Sequence, residues 1–226
     1  MDNEEFYTKA SEYWSAIPAT VDGMLGGLSK LSPADISFSK DFLSSFIYNG
    51  TSPLSTNAAL DVGAGIGRVT KHLLSGYFTR VDMVEPDLHF TEKAPAYIGA
   101  DTWKKIGRVF TVGLQDFRPE ASDSGDRALY DCIWCQWALS HLRDDDLVAA
   151  LKRLRQVLNR TGHGIIFVKE NMAKQEDEFD EADSSVTRTR ESFLKIFSRA
   201  GLTVIKEAKQ PKFPTELYEV RLFALS

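Results

Sequence analysis

The sequence predicts an α/β fold, a seven-stranded sheet with an antiparallel last strand, preceded by a helical extension. Two observations support this prediction. From residue 58 onward, strand-like and helix-like segments alternate, which is typical of a doubly wound sheet. The last two strand-like segments, LTVIKEAKQ and LYEVRLFALS, have no helix between them. Because a parallel crossover normally needs about a dozen residues or more, we expect these two strands to be antiparallel.

The elements follow one another in a regular order. The earlier predicted strands are AALDVG, RVDMVEP, GRVFTVGLQDF, YDCIWCQWAL and HGIIFVKEN. The intervening helices are predicted at about residues 68–74, 87–97, 145–158 and 189–200, and in the third of these the leucines recur at helical spacing. Residues 1–50 are predicted to be a helical extension or lid, with helices at about 4–14 and 33–48 joined by ATVDGMLGGLSKLS. Residues 51–226 then form one compact domain.

Length and composition limit the possible classes of function. With 226 residues, 43% hydrophobic and 26% charged, the chain suits one globular core. A net charge of -5 argues against a nucleic-acid-binding surface, which usually carries a basic excess, and favours cationic partners. The sequence shows neither a signal-peptide pattern nor an apolar run long enough to cross a bilayer. We therefore expect no membrane partner and a location in the cytoplasm, and also in the nucleus.

The two cysteines, Cys132 and Cys135, form a CxxC pattern, which occurs in redox and zinc sites. They lie in YDCIWCQWAL, a predicted buried strand, where side chains three residues apart point to opposite faces of the sheet. Because free cysteine commonly packs as a small hydrophobic residue, we interpret both as core residues.

The most specific motif is LDVGAGIGR at residues 60–68, where the first strand should turn into the first helix. Gly63, Gly65 and Gly67 allow a tight turn and a close approach of the backbone to a ligand. Their G-x-G-x-G spacing differs from the G-x-G-x-x-G of dinucleotide sites. Arg68 suits the carboxylate of a ligand with an amino-acid moiety. With the final antiparallel pair, this motif predicts S-adenosylmethionine as the cofactor and the class I methyltransferase variant of the Rossmann fold.

Residues at the ends of the next strands complete the predicted cofactor site. Glu85 ends the second strand, where a carboxylate accepts hydrogen bonds from both ribose hydroxyls of an adenosine. Leu114 and Gln115 follow the third strand, where the adenine would lie, and Gln136 ends the fourth. Ligands of open α/β sheets bind at this edge, so these residues should lie close together.

Further candidates lie at the ends of the later strands, on the same edge of the sheet. They are Trp137 and His141 in CQWALSHL, Asn171 in VKENM, and the acidic stretch EDEFDEADSSVTR at residues 176–188. Taken alone, the acidic stretch is more typical of a solvated loop. A lone histidine or a buried tryptophan is likewise more often structural than functional.

In these motifs the sequence resembles the eukaryotic protein α-N-terminal methyltransferases, which modify chains that begin Xaa-Pro-Lys. The matching stretches are ATVDGMLGG, ALDVGAGIGR, VDMVEP, GLQDF, IWCQW followed by HL, KENM, DSSVTR and LYEVRLFAL. They occur in order over essentially the whole chain. The combination of VDGMLGG with DSSVTR is far more specific than the glycine motif, which many unrelated methyltransferases share.

The resemblance implies roles for individual positions. The implied cofactor residues are Gly63, Gly65, Arg68, Glu85, Pro86, Asp87, Leu114, Gln115 and Gln136. The implied peptide channel is lined by Trp14, Leu25, Leu31, Trp137, Asn171, Asp180, Asp183, Ser185 and Tyr218. His141 and Asp183 would lie nearest the substrate amine as catalytic residues, and no metal is implied. Ribosomal and chromatin proteins are the substrates that the resemblance suggests.

The residue types suit this chemistry. An α-amino group with a pKa near 7.7–8.0 is largely protonated at neutral pH, and methyl transfer needs its lone pair. His141 and Asp183 are of the type that removes such a proton, directly or through a water. Acidic residues near Asp180 suit a substrate with lysine at position three, and Trp137 offers a flat face to a proline ring.

Two other functions share the cofactor motif. A small-molecule amine or carboxyl methyltransferase would also contain LDVGAGIGR, although it has no need for the acidic stretch. A non-catalytic S-adenosylmethionine-binding partner protein would be expected to lack His141 and Asp183, and both are present.

Overall fold

The structure is a computed structural model that describes residues 3–48, 53–119, 129–161 and 163–226. The predicted boundary between residues 50 and 51 lies outside these ranges. Seven strands form the main sheet, namely β1 (Ala58–Val62), β2 (Arg80–Val84), β3 (Ile106–Phe110), β4 (Cys132–Gln136), β5 (Ile165–Met172), β8 (Val204–Lys209) and β9 (Glu219–Leu225), and two short strands, β6 (Glu178–Asp180) and β7 (Ser185–Thr187), form a separate pair.

The order of the main sheet is β3-β2-β1-β4-β5-β9-β8. The first five strands are parallel, whereas β9 runs antiparallel to both β5 and β8 between which it lies. The sequence-based prediction of seven strands with an antiparallel last strand is confirmed. Strands β2 and β3 are added on one side of β1, whereas β4 and β5 are added on its other side, so the strand order reverses between β1 and β4. Open α/β sheets bind ligands at such a point, outside the carboxyl ends of the strands.

Helices cover both faces of the sheet. They are α1 (Asn3–Ala16), α2 (Val21–Met24), α3 (Ser32–Tyr48), α4 (Arg68–His72), α5 (Leu88–Ile98), α6 (Ala100–Trp103), α7 (Asp144–Gln156) and α8 (Arg190–Arg199). The predicted helices agree with α1, α3, α4, α5, α7 and α8 to within a few residues. The segment between α1 and α3, predicted as a glycine-bearing connection, contains the additional short helix α2.

The two faces of the sheet have separate hydrophobic cores. On one face, α7 and α8 pack over strand residues that include Leu60 and Cys135. On the other, α3 and α4 pack over residues that include Cys132 and Trp134. Both cysteines are fully buried and free, and burial raises the pKa of each thiol. The predicted core role, on opposite faces, is therefore confirmed.

The N-terminal helices have different positions. Helix α3 buries Ile36, Phe42 and Leu43 in the same cluster as the central strands, so it is part of the core. Helix α1 lies over the carboxyl edge of the sheet. Its Tyr7 hydroxyl donates to Asp146 at the start of α7 at 2.7 Å, and its Ser15 hydroxyl donates to Asp87 at 2.6 Å.

The acidic stretch at residues 176–188 is exposed at residues 176–182, as its charge suggests, but it forms a hairpin and not an irregular loop. Strands β6 and β7 pair antiparallel through three residue pairs, from Glu178 opposite Thr187 to Asp180 opposite Ser185. Arg188, which follows, is fully buried and donates to the carbonyls of Leu139 and Leu142 and to Asp144. This arginine fixes the hairpin against the end of β4, and so tertiary contacts override the local composition.

In the described ranges, no helix is both long enough and apolar enough to cross a membrane.

Candidate active site

The glycine motif forms a tight loop between β1 and α4. Gly63 and Gly65 have φ values of +68° and +54°, a region that other residues rarely adopt. A Cβ on Gly63 would lie 2.4 Å from the Cβ of Ala138, and one on Gly65 would lie 2.6 Å from Met24. Both positions therefore require glycine, for conformation and for space.

Glu85, at the end of β2, holds this loop in place. Its carboxylate accepts hydrogen bonds from the amides of Gly65 at 2.8 Å and Asp87 at 3.0 Å. The side chain is almost completely buried, and burial raises the pKa of Glu85 to about 7, although the two amide hydrogen bonds act in the opposite direction. The carboxylate is therefore within reach of titration at neutral pH.

A first cavity of about 250 Å³ lies next to this loop, at the carboxyl edge of β1, β2 and β4. Eight of the nine predicted cofactor residues line it: Gly63, Arg68, Glu85, Pro86, Asp87, Leu114, Gln115 and Gln136. Gly65 does not, because its amide is donated to Glu85 and Met24 covers its α-carbon. Asp87 also caps α5 through the amide of His89.

The cavity fits the chemistry of S-adenosylmethionine. Glu85 presents an anionic acceptor for ribose hydroxyls, and Arg68 presents a cation for a carboxylate. The rest of the lining is largely apolar, with side chains such as Val62 and Leu114. The cavity thus presents both the acceptor that the ribose needs and the cation that the carboxylate needs.

A second cavity of about 540 Å³ lies between the N-terminal segment and the β6–β7 hairpin. Every predicted peptide-channel residue lines it: Trp14, Leu25, Leu31, Trp137, Asn171, Asp180, Asp183, Ser185 and Tyr218. Six carboxylates belong to its wall, those of Asp35, Glu170, Glu178, Asp180, Glu181 and Asp183. Among the described residues no lysine or arginine lines it, so this cavity is strongly suited to a cationic ligand.

The two cavities meet, because five residues line both of them: Trp14, Met24, Leu25, Trp137 and His141. Trp137 directly follows β4 and has a φ of +52°, which is strained for a bulky residue. Strain of this kind concentrates at functional sites, where the surrounding structure holds it in place. Because the two cavities share these lining residues, a group in the second cavity can reach a ligand in the first.

Three buried polar atoms at this junction have no hydrogen-bond partner within the described residues. They are Nε1 of Trp137, Nδ1 of His141 and Oδ1 of Asp183, and all three side chains line the second cavity. An unsatisfied buried polar atom destabilises a protein by about 1–3 kcal/mol. Nε1 of Trp137 is a donor and Oδ1 of Asp183 is an acceptor, and Nδ1 of His141 is a donor because its Nε2 accepts from Trp14. These groups are arranged for a polar ligand that enters between the cavities.

Comparisons with known proteins agree with this geometry. A sequence model of the AdoMet-dependent proline di-methyltransferases matches residues 2–226. The chain belongs to this family. It is 44% identical over 224 residues to N-terminal Xaa-Pro-Lys N-methyltransferase 1 of Rattus norvegicus and 43% identical to that of Homo sapiens. Each of these alignments covers 99% of this chain and 96% of the relative.

A solved structure leads to the same assignment. A SAM-dependent methyltransferase from Leishmania major superposes with a TM-score of 0.86 and 34% identity, covering 100% of this chain and 85% of that chain. A phosphoethanolamine N-methyltransferase from Haemonchus contortus, at 18% identity and a TM-score of 0.72, covers 100% of this chain and 50% of that chain and shares the fold. The resemblance found in the sequence is confirmed, and the protein is an S-adenosylmethionine-dependent methyltransferase.

In this methyltransferase, His141 is bonded to a residue of the N-terminal helix. The indole N–H of Trp14 donates to Nε2 of His141 at 3.0 Å, and the two rings meet edge-on. Because Nε2 accepts, the proton of the neutral imidazole is assigned to Nδ1. Burial lowers the pKa of His141, while the negative charge of Asp183 opposes that effect. The ring is therefore neutral at neutral pH.

Sequence reasoning missed two buried charged residues of the methyltransferase. Glu170 in β5 accepts hydrogen bonds from the amides of Ala138 at 2.9 Å and Leu139 at 2.8 Å, which fixes the segment between Trp137 and His141. Burial raises the pKa of Glu170 to about 7. Asp35 in α3 is the second of these buried charged residues. The signal for Glu170 was a charged pair, Lys169-Glu170, within an otherwise apolar strand.

Proposed function

We propose that this protein transfers methyl groups from S-adenosylmethionine to the α-amino group of protein N-termini that begin Xaa-Pro-Lys after removal of the initiator methionine. The relatives that carry the Xaa-Pro-Lys name align over nearly the full chain. The observation that carries the proposal is the set of unpartnered buried atoms of Trp137, His141 and Asp183 where the two cavities meet.

Proton removal is the first task of the protein. An α-amino group with a pKa near 7.7–8.0 is mostly an ammonium at neutral pH and has no lone pair for the reaction. Asp183 Oδ1 is buried and free to accept a hydrogen bond from that ammonium. Nε2 of His141 already accepts a hydrogen bond from Trp14, so Asp183 is the first acceptor of the ammonium proton in this arrangement. His141 can accept that proton only when the indole of Trp14 moves away from Nε2.

Orientation is the second task. When bound, S-adenosylmethionine supplies an electrophilic methyl group on its sulfonium. The side chains that line both cavities hold the amine on the line of attack and exclude water from it. Transfer repeats until the nitrogen has no further proton to lose, so a primary amine accepts three methyl groups and an N-terminal proline accepts two.

Recognition of the next two residues follows from the wall of the second cavity. Trp137 presents a flat apolar ring on which a proline at position two packs. Asn171 offers an amide that both donates to and accepts from a peptide backbone. A lysine at position three adds a second positive charge, which the carboxylates of Asp180 and its neighbours attract.

Mass spectrometry of peptides incubated with the enzyme and S-adenosylmethionine tests the proposal. A peptide that begins Ser-Pro-Lys should gain up to three methyl groups on its α-nitrogen. The same peptide acetylated at its N-terminus should remain unmodified, because an amide nitrogen has no basic lone pair. A glutamate in place of the lysine should abolish turnover, because like charges would meet at Asp180.

A matched pair of variants tests the assigned base. Asp183→Asn should lower kcat by roughly 10²–10⁴, because the amide cannot accept the proton. Asp101→Asn changes an exposed carboxylate on α6 that pairs with Lys104, and it should leave kcat unchanged. Methylation of an internal lysine in the acetylated peptide, or of small amines in preference to the peptide, would point instead to a small-molecule methyltransferase. Cofactor binding without turnover of any acceptor would point to a non-catalytic binding protein.

The partners and the location extend this proposal. We infer ribosomal and chromatin proteins as substrates and the cytoplasm and nucleus as the locations, supported by the family resemblance. The net charge of -5 favours cationic N-terminal tails over nucleic acid or anionic membranes.

A further inference from the structure

Asp35 in α3 is a buried carboxylate that accepts hydrogen bonds from donors on α4, β4 and β5. Its side chain is 1% exposed. It accepts hydrogen bonds from Nη1 of Arg68 at 2.7 Å and from Nε2 of Gln136 at 3.0 Å, and it forms an ion pair with Lys169. Arg68 follows β1, Gln136 ends β4 and Lys169 lies in β5, which are adjacent in the sheet.

The contacts of Asp35 leave part of Arg68 available. Both bonds from Arg68 to α3, to Asp35 and to the hydroxyl of Ser32, are made by Nη1. Within the described residues, Nη2 and Nε of Arg68 make no hydrogen bond that competes with a ligand. A guanidinium anchored at one nitrogen presents its other donors in a fixed direction, which lowers the entropy lost on binding a carboxylate. Arg68 also lines the first cavity.

Arg68 connects Asp35 to the peptide side as well. Its guanidinium lies over the ring of Trp137, with 5.5 Å from Cζ to the ring centroid. Asp35 and Trp137 both line the second cavity. A single carboxylate of α3 therefore fixes a cation that faces the first cavity and stacks on an aromatic ring that faces the second.

We propose that Asp35 is the positioning residue for the amino-acid end of the cofactor, holding Arg68 and Gln136 in the orientation that binds the cofactor carboxylate. The inference rests on the proposed function and on the predicted placement of the cofactor carboxylate at Arg68, beside which Gln136 lines the same cavity. The adenosine end, which is predicted to meet Glu85 and Leu114, does not depend on Asp35. If Asp35 has a positioning role, its loss should weaken binding of the amino-acid end only. If its role is structural, both ends should bind more weakly.

The net charge of the cluster and the orientation of Arg68 predict different effects when the Asp35 carboxylate is removed. Asp35 carries one negative charge, and Arg68 and Lys169 carry one positive charge each, so the cluster has a net charge of about +1. Burial lowers the pKa of Lys169 to about 8 even with Asp35 beside it, so in Asp35→Asn this lysine is largely neutral and the net charge of the cluster stays near +1. Electrostatics alone would then leave the binding of an anionic group nearly unchanged. If Asp35 acts by orienting Arg68, the same substitution weakens binding instead.

The experiment compares two ligands by titration calorimetry. S-adenosylhomocysteine carries the amino-acid end, and 5′-methylthioadenosine lacks it. In Asp35→Asn the affinity for S-adenosylhomocysteine should fall about tenfold or more, as expected for loss of a charged hydrogen bond, while the affinity for 5′-methylthioadenosine stays within about twofold. The matched control is Ser39→Ala, because Ser39 contacts Lys169 at 2.9 Å in the same cluster but neither Arg68 nor Gln136. In Ser39→Ala the ratio of the affinity for S-adenosylhomocysteine to that for 5′-methylthioadenosine should equal the wild-type ratio.

A second variant keeps the test valid if Asp35→Asn does not fold. Asp35→Asn with Lys169→Met has the net charge of the wild-type cluster and no buried lysine without a partner, and it should show the same selective loss. An equal loss for both ligands would mean that Asp35 is only structural, and tighter or unchanged S-adenosylhomocysteine binding would overturn positioning. Arg68→Ala distinguishes the two proposals: if it leaves S-adenosylhomocysteine affinity unchanged, the cofactor placement itself is wrong.

Discussion

The buried carboxylate of Glu85 makes cofactor binding dependent on pH. Burial raises the pKa of Glu85 to about 7 in the free protein, because only 5% of the residue is exposed. The predicted role of Glu85 is to accept hydrogen bonds from two ribose hydroxyls, so the ionised form should bind the cofactor and the protonated form should bind it poorly. Cofactor binding should therefore stabilise the ionised form and release a proton.

The size of the pH effect on cofactor affinity follows from the fraction of Glu85 that is ionised. With a pKa of about 7, that fraction is about 0.9 at pH 8, about 0.5 at pH 7 and about 0.1 at pH 6. The affinity for S-adenosylhomocysteine should consequently fall about tenfold between pH 8 and pH 6, equivalent to about 1.4 kcal/mol. At pH 7, binding should release about half a proton for each ligand.

Calorimetry measures both quantities. Titrations at pH 6, 7 and 8 give the affinity, and titrations at pH 7 in buffers of different ionisation enthalpy give the number of protons released. Glu85→Gln should bind more weakly and lose the pH dependence. Glu170→Gln is the control, because Glu170 also has a pKa raised to about 7 but does not line the first cavity. An affinity constant within twofold from pH 6 to pH 8 in the wild type would refute the role of Glu85.

Two further predictions concern the N-terminal helices. Trp14→Phe should raise the pKa of His141, because the indole N–H stabilises only the neutral ring. An NMR titration of the histidine signals measures this pKa. Tyr13→Phe is the control, since Tyr13 packs on Trp14 without touching His141. An unchanged titration would mean that the hydrogen bond does not form in solution. Leu43→Ala should lower the free energy of unfolding in urea by about 2–5 kcal/mol, because Leu43 is fully buried in the core with the central strands. Leu88→Ala, at a site that is 58% exposed, should change it by less than about 0.5 kcal/mol, and equal losses would contradict the packing of α3.

Sequence reasoning succeeded where local physics decides the outcome. The glycines of LDVGAGIGR require a turn at a strand end, and the missing helix before the last strand requires an antiparallel pair. The charge of the acidic stretch correctly indicated solvent exposure but not the hairpin, because strands of three residues are too short to show an alternating pattern. Their pairing depends on Arg188, whose partners lie at Leu139, Leu142 and Asp144.

The sequence by itself determined the fold class, the family and the residue types that the two cavities need, because each depends on motifs that are contiguous in the chain. Only the tertiary structure decided which of these residues touch. Trp14 meets His141 across 127 positions, and Asp35 meets Gln136 across 101 and Lys169 across 134. A hydrogen bond depends on distance and direction in space, and no spacing along the chain specifies either of them once helices have packed on a sheet. The same holds for the unpartnered atoms of Trp137, His141 and Asp183, whose burial results from the packing of α1, the β6–β7 hairpin and the end of β4 around one junction.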